Sequence, residues 1–177
     1  LVKELMHGAA FNFPNSSVFK EDTAIVSELF DANVYQKGAS FLHMLRWKVG
    51  DEAFFSGLKN YSLDSSLAYS FARTNDFKTH IEEASNQNLD EFFKDWFYGK
   101  GFPTYTIQWK QEEEEIQITV EQTSSDPSVF FFNIPIPIQL HFSGKDSIII
   151  LDPKYSGQTF SLTLNSVVDS LKFDPED

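Results

Sequence analysis

Four histidines, at positions 7, 43, 80 and 141, are the side chains best suited to bind a metal or move a proton near neutral pH. No two of them stand at a metal-ligand spacing, and no His-Glu-x-x-His occurs, so the chain offers no set of metal ligands. His43 falls one residue past an apolar stripe and reads as a structural or lining residue, and His141 sits on the polar parity of a strand, facing solvent. A Ser-His-Asp triad has no Gly-x-Ser-x-Gly elbow to support it, and no Gly-rich phosphate loop is present. With no Cys there is neither a disulfide framework nor a thiolate site. The segment that stands out is Val34-Tyr35-Gln36-Lys37-Gly38-Ala39-Ser40-Phe41-Leu42-His43-Met44-Leu45-Arg46. Taken alone, Tyr35 is an aromatic residue at a helix start.

The elements that must position these residues fall into two kinds. Phe41, Leu42, Leu45 and Val49 share one face of a helix over Tyr35 to Val49, which Gly50 stops. Asp51 is expected to cap a second helix carrying Phe54, Phe55, Leu58 and Tyr61. A third starts near Thr74 with Asp76 in its first turn and Phe77, Ile81 and Ala84 as its stripe. A fourth opens at Asn88 with Glu91 placed as in a capping box, buries Leu89, Phe92, Phe93, Trp96 and Phe97, and ends at Gly99. Leu1 to Met6 reads as the tail of a helix and Asn12 to Asp22 as loop. Together these predict an irregular helical bundle.

After Gly101-Phe102-Pro103 the period becomes two. Tyr105, Ile107 and Trp109 form one core-facing parity, and Ile116, Ile118 and Val120 follow the acidic run Glu112 to Glu115, which reads as a solvated turn. Phe130 to Phe142 keeps one apolar parity without a break, with Pro135 and Pro137 on the other, which predicts an edge strand or a bend between sheets. Ile148 to Leu151, Phe160 to Leu164 and Val167 to Phe173 bring the count to about seven strands, the pattern of a small antiparallel β-sandwich. The fold class expected is therefore α+β, with helices over 1–101 and the β module over 102–177.

The net charge of −12 divides as −4 over residues 1–102 and −8 over 103–177, a surface that repels nucleic acid and anionic membranes. No apolar run approaches a membrane span.

Four segments, in order, carry a resemblance. The tyrosine segment resembles that of the aminopeptidase N-type zinc metallopeptidases (peptidase family M1, gluzincins), in which Val-Tyr-x-Lys-Gly-Ala opens a helix. Gly50-Asp51-Glu52-Ala53-Phe54-Phe55 is similar to the family's next helix, and Asp76-Phe77 with Glu82-Glu83-Ala84-Ser85 to the one after it. Leu89 to Pro103 is similar to the end of the catalytic domain, where a Trp helix meets a Gly-x-Gly-x-Pro exit. The likeness covers about residues 30–110 well, and 111–177 by position and strand pattern.

The resemblance implies that 1–101 is the C-terminal, thermolysin-like part of a zinc-peptidase catalytic domain and that 102–177 is the structural β-sandwich following it. The zinc ligands and the substrate-amine-binding stretch would precede Leu1, so neither zinc ligands nor cofactor-binding residues are assigned here, and zinc belongs to the parent protein. Of the family's site only Tyr35 carries over. Its implied role is to donate its phenolic O–H to the oxyanion formed when zinc-activated water attacks the scissile carbonyl of a peptide. Lys37, Gly38 and Ala39 are expected to serve the helix start, Gly38 by permitting close approach, with Phe41 and His43 as packing. The parent would hydrolyse N-terminal residues from peptides, and the fragment would be inactive alone. The alternative is a non-catalytic relative that kept the scaffold as a protein-interaction module. A free-standing carbohydrate-binding sandwich would need exposed aromatics on a sheet face. Truncation is expected to expose an apolar face that self-associates. The compartment is not fixed by the sequence; the Cys-free, acidic composition leans towards an extracytoplasmic or periplasmic parent.

Overall fold

The computed structural model describes residues 16–24 and 26–175. The expected helix tail at Leu1 to Met6, His7 and the loop up to Asn15 lie outside them. A 3-10 turn, Val26–Phe30, leads into α1 (Ala32–Val49), α2 (Asp51–Leu63) and α3 (Thr74–Ser85). A short α4 (Asp90–Phe93) widens directly into a π-helical turn, Lys94–Tyr98. None of the helices is long and apolar enough to cross a membrane, among the described residues.

The helix starts differ from expectation in instructive ways. Helix α1 opens three residues before Tyr35, because Asp31 is the N-cap and its Oδ1 accepts from the Val34 amide at 2.9 Å. Asp51 does not cap α2; it is the first helical residue, and its carboxylate instead takes both Nε and Nη2 of Arg46, at 2.8 and 2.6 Å. No capping box forms at Asn88. Its Oδ1 accepts from the Asp90 amide in a local turn, Glu82 Oε1 takes the Leu89 amide at 2.7 Å, and Glu91 meets Asn133. Asp76 does lie in the first turn of α3 and accepts from the Arg73 amide at 2.7 Å.

Among the described residues the β module has six strands, not the seven or so expected, in two three-stranded antiparallel sheets: β1 (Pro103–Glu112), β2 (Glu115–Ser124) and β5 (Gln158–Thr163) in the order β1-β2-β5, and β3 (Ile136–Phe142), β4 (Lys145–Leu151) and β6 (Val168–Phe173) in the order β4-β3-β6. Ile116, Ile118 and Val120 of one sheet share a single core with Ile136, Ile138 and Leu140 of the other. Glu113 and Glu114 form the tight hairpin turn expected of the acidic run, Glu113 in the left-handed region at φ 53°.

The run Phe130 to Phe142 is not one strand. Pairing begins only at Ile136, and the strand it forms is central in its sheet, not an edge. Pro137 is tolerated there because its backbone faces the β6 side just beyond that strand's last residue, where its carbonyl accepts from the Asp174 amide and no donor is required of it. The preceding stretch crosses to the helices. Val129, Phe132 and Ile134 complete the helical core with Phe41, Leu45, Phe54, Ile81, Leu89, Phe92, Phe93 and Trp96. Trp96 and Phe132 rings lie 4.6 Å apart, each contributing about 2–3 kcal/mol of apolar burial to the seam. Trp109, expected in the core, is 37% exposed on the outer strand β1.

Candidate active-site tyrosine and its groove

Tyr35 is the fourth residue of α1 and is 64% exposed, although the helix around it is anchored. Asp31 Oδ1 accepts from the Val34 amide, and its Oδ2 binds Lys20 Nζ at 2.5 Å. Phe41 and Leu45, six and ten residues on, are buried at 3% and 0%, so the apolar stripe anchors α1 beyond its first turn.

Tyr35 stands on the wall of an open groove of about 520 Å³ between α1, α2 and the loop before α3. Val34, Leu42, Phe77, Phe93 and Phe97 supply its apolar wall, and its polar groups are Tyr35, Tyr61, Arg73 and Thr74. Such a surface can hold an apolar or amphipathic chain while offering a phenolic hydroxyl and one guanidinium. Leu42, expected in the stripe, is 41% exposed here because it belongs to this wall.

The other motif residues divide. Lys37 turns inward: its Nζ donates to the Ser16 carbonyl at 2.6 Å and to the Gly101 carbonyl at 3.4 Å. Burial pushes its pKa down to about 8, partly opposed by the charge of Asp126. Gly38 is not a point of close approach among the described residues, since a Cβ there would meet only Val18 Cγ1, at 3.8 Å. The tight glycine is Gly57 on α2, where a Cβ would lie 2.6 Å from Ile81 Cδ1 and 3.1 Å from the His80 carbonyl. His43 is exposed and is not part of the packing.

The remaining histidines serve separate places. His80 Nε2 lies 3.0 Å from Asp64 Oδ2 at the α2–α3 junction, and His141 Nδ1 lies 2.8 Å from Asp146 Oδ1 in the second sheet, half-buried. Asp64 also accepts from the amide and hydroxyl of Ser66, which together with His80 hold its carboxyl below the usual range. Among the described residues no three His, Cys, Asp or Glu side chains are grouped to hold a metal ion. The residues here do not fit a zinc ion.

Asp95 was not legible as a special residue. The π turn carries it inward to 8% exposure, and burial, followed by the charge of Glu91, pushes its carboxyl up to about 6. Its one sequence signal is an acid set inside Phe92-Phe93-Lys94-Asp95-Trp96-Phe97.

The matched family agrees with the tyrosine segment. The Peptidase family M1 domain matches residues 12–96, which include Tyr35 and α1 to α4. The chain carries part of an M1 peptidase domain. Glutamyl aminopeptidase of Rattus norvegicus is 29% identical over 159 residues, 86% of this chain and 16% of that protein. Puromycin-sensitive aminopeptidase of Caenorhabditis elegans is 30% identical over 127 residues, 68% of this chain and 13% of that protein. The crystal structure of Legionella pneumophila aminopeptidase A in complex with aspartic acid matches 94% of this chain and 19% of that one, at a TM-score of 0.70 and 19% identity. That likeness is one of fold. The chain thus spans less than a fifth of the length of these aminopeptidases.

Proposed function

We propose that this chain is the tyrosine-bearing part of a zinc aminopeptidase that removes N-terminal residues from peptides. In this reading residues 1–101 belong to the catalytic domain and 102–177 form a structural β module that braces it. Tyr35 donates its phenolic O–H to the oxyanion that develops on the scissile carbonyl, and the groove beside it holds part of the peptide. Zinc would be held by residues of the parent outside this chain, because the described residues do not fit it. The 177-residue chain is accordingly inactive alone. The observation that carries the reading is the exposure of Tyr35 on a groove wall, at the head of a helix inside the M1 match.

The test is Tyr35→Phe in the full-length protein, assayed on amino-acid arylamides. Turnover should fall roughly 10²–10³-fold, as for other single oxyanion donors, with folding unchanged. Near-normal turnover removes Tyr35 from catalysis. Hydrolysis of the same arylamides by the 177-residue chain with added zinc would overturn its predicted inactivity.

Large apolar groups exposed on the helical side, among them Val26, Phe30, Leu63 and Phe71, are expected to drive self-association of the isolated chain. A strict monomer by light scattering at high concentration would refute that. An extracytoplasmic location follows the Cys-free, acidic composition, and cell fractionation tests it.

A further inference from the structure

A lysine two residues beyond Tyr35 on a helix would ordinarily run its ammonium out to water. Lys37 does the opposite. Its Nζ joins the Ser16 carbonyl, 21 residues earlier, to the Gly101 carbonyl, 64 residues later. Both acceptors sit on chain that is itself held. The stretch beyond Ser16 is fastened where the Phe19 amide donates to the Phe97 carbonyl at 3.2 Å and the Phe19 ring lies 5.1 Å from that of Tyr98. Gly101 has φ 85° and lies so close to the loop after β2 that a Cβ would stand 2.7 Å from Ser125 Oγ. That same hydroxyl accepts from the Phe102 amide at 3.0 Å. Asp126, next in that loop, supplies the opposing charge.

Desolvating an ammonium is costly, and a surface lysine at this helical position would avoid the cost entirely. The helix gains a second anchor from it. Asp31 caps the start of α1, but the amides of a first turn fray, and a cap does not fix the rotation of the turn about its axis. Lys37, two residues from the exposed Tyr35 and so on the opposite side of the helix, supplies that constraint at the Gly101 carbonyl, where the helices hand over to the β module. An oxyanion donor has to be held within about 0.5 Å of its working position.

We infer that Lys37 is a positioning residue for Tyr35, clamping the first turns of α1 to the Ser16 and Gly101 carbonyls. The inference rests on the proposed role of Tyr35 and adds the means by which the fold holds it.

A double-mutant cycle in the full-length protein tests it, with Lys37→Met, Tyr35→Phe and the pair, assayed on an amino-acid arylamide. Lys37→Met should lower kcat about 10-fold or more while leaving KM within about twofold, since a misplaced donor harms the transition state more than binding. In the Tyr35→Phe background the same change should cost less than about twofold, because there is no hydroxyl left to misplace. Lys37→Arg, which keeps the charge and donors, should lose less than Lys37→Met. Equal fold-losses in both backgrounds overturn the inference while leaving Tyr35 catalytic. Near-normal turnover of Tyr35→Phe alone instead removes the role of Tyr35, and the inference with it. If Lys37→Met does not fold, Lys37→Gln, which keeps an N–H donor, takes its place in the cycle.

Discussion

The amide of Gln122 grips the backbone of Phe132 at both polar atoms: Oε1 accepts from its N–H at 2.7 Å and Nε2 donates to its carbonyl at 3.0 Å. One side chain on β2 thereby stands in for a neighbouring strand, at the place where an irregular segment leaves the β module to fill the helical core. Nε2 also reaches the Tyr105 hydroxyl at 3.2 Å, and burial pushes that phenol up. Gln122 is itself only 6% exposed. Gln122→Leu keeps the approximate volume but leaves a buried N–H and carbonyl unpaired, each costing about 1–3 kcal/mol. The expected loss is therefore about 2–5 kcal/mol by denaturant unfolding, approaching that of Phe132→Ala at about 3–5 kcal/mol. A loss below about 1 kcal/mol for Gln122→Leu would mean that water replaces the amide and that the segment is held by Phe132 packing alone.

Two glycines in helices should respond to alanine in opposite directions. At Gly57 a new Cβ meets Ile81 Cδ1 at 2.6 Å and Ile81 Cα at 3.1 Å, so α2 and α3 must separate. Overpacking of this kind costs about 1–3 kcal/mol. At Gly38 the new methyl has room, with Val18 Cγ1 at 3.8 Å, and a helix interior favours Ala over Gly by about 0.5–1 kcal/mol. Thermal unfolding of the two variants checks this: Gly57→Ala should melt lower than the parent chain and Gly38→Ala higher. A lowered midpoint for Gly38→Ala would restore the close-approach role that the motif suggested.

The pair also shows what the sequence could say. Helical stripes such as Leu89, Phe92, Phe93 and Trp96 were readable because burial on a helix leaves a 3.6-residue period, and all four are buried. The period does not reveal which glycine touches a neighbouring helix, since that depends on where two axes cross. Nor does it show the π turn at Lys94–Tyr98, whose apolar spacing suits an α-helix equally well. The single parity correctly marked an alternately buried chain from Phe132 to Leu140, but it fails at its start, where Phe130 is 98% exposed and Val129 is buried instead. Parity is silent on what covers the buried face, however, and Phe132 and Ile134 are covered by helices, not a sheet. The motif singles out Tyr35, and the structure places it exposed on a groove wall. The inward turn of Lys37 was not legible, because a lysine in a helix pattern reads as solvent-facing until the fold brings carbonyls to it.

Asp95 supplies a prediction whose sign follows from its environment. Its carboxyl is pushed up to about 6 in the folded chain, first by burial and then by Glu91, against an ordinary value of 3.8. Between those two values the folded state binds more protons than the unfolded one, so the Asp95 contribution to stability falls as pH rises through that window. Above it the buried charge is a standing cost of up to about 3 kcal/mol. Asp95→Asn removes the charge with little change of shape. The variant should match the parent chain near pH 4 and unfold at a higher temperature by pH 7, the gap opening mostly between pH 4 and 6. Asp51, Asp64 and Asp90, each held below the usual range by hydrogen-bonded partners, pull the other way as acid is added. They titrate alike in both proteins, so the difference between the two melting curves isolates Asp95. A variant less stable than the parent at pH 7 would show that the ionised carboxylate has a partner that stabilises it.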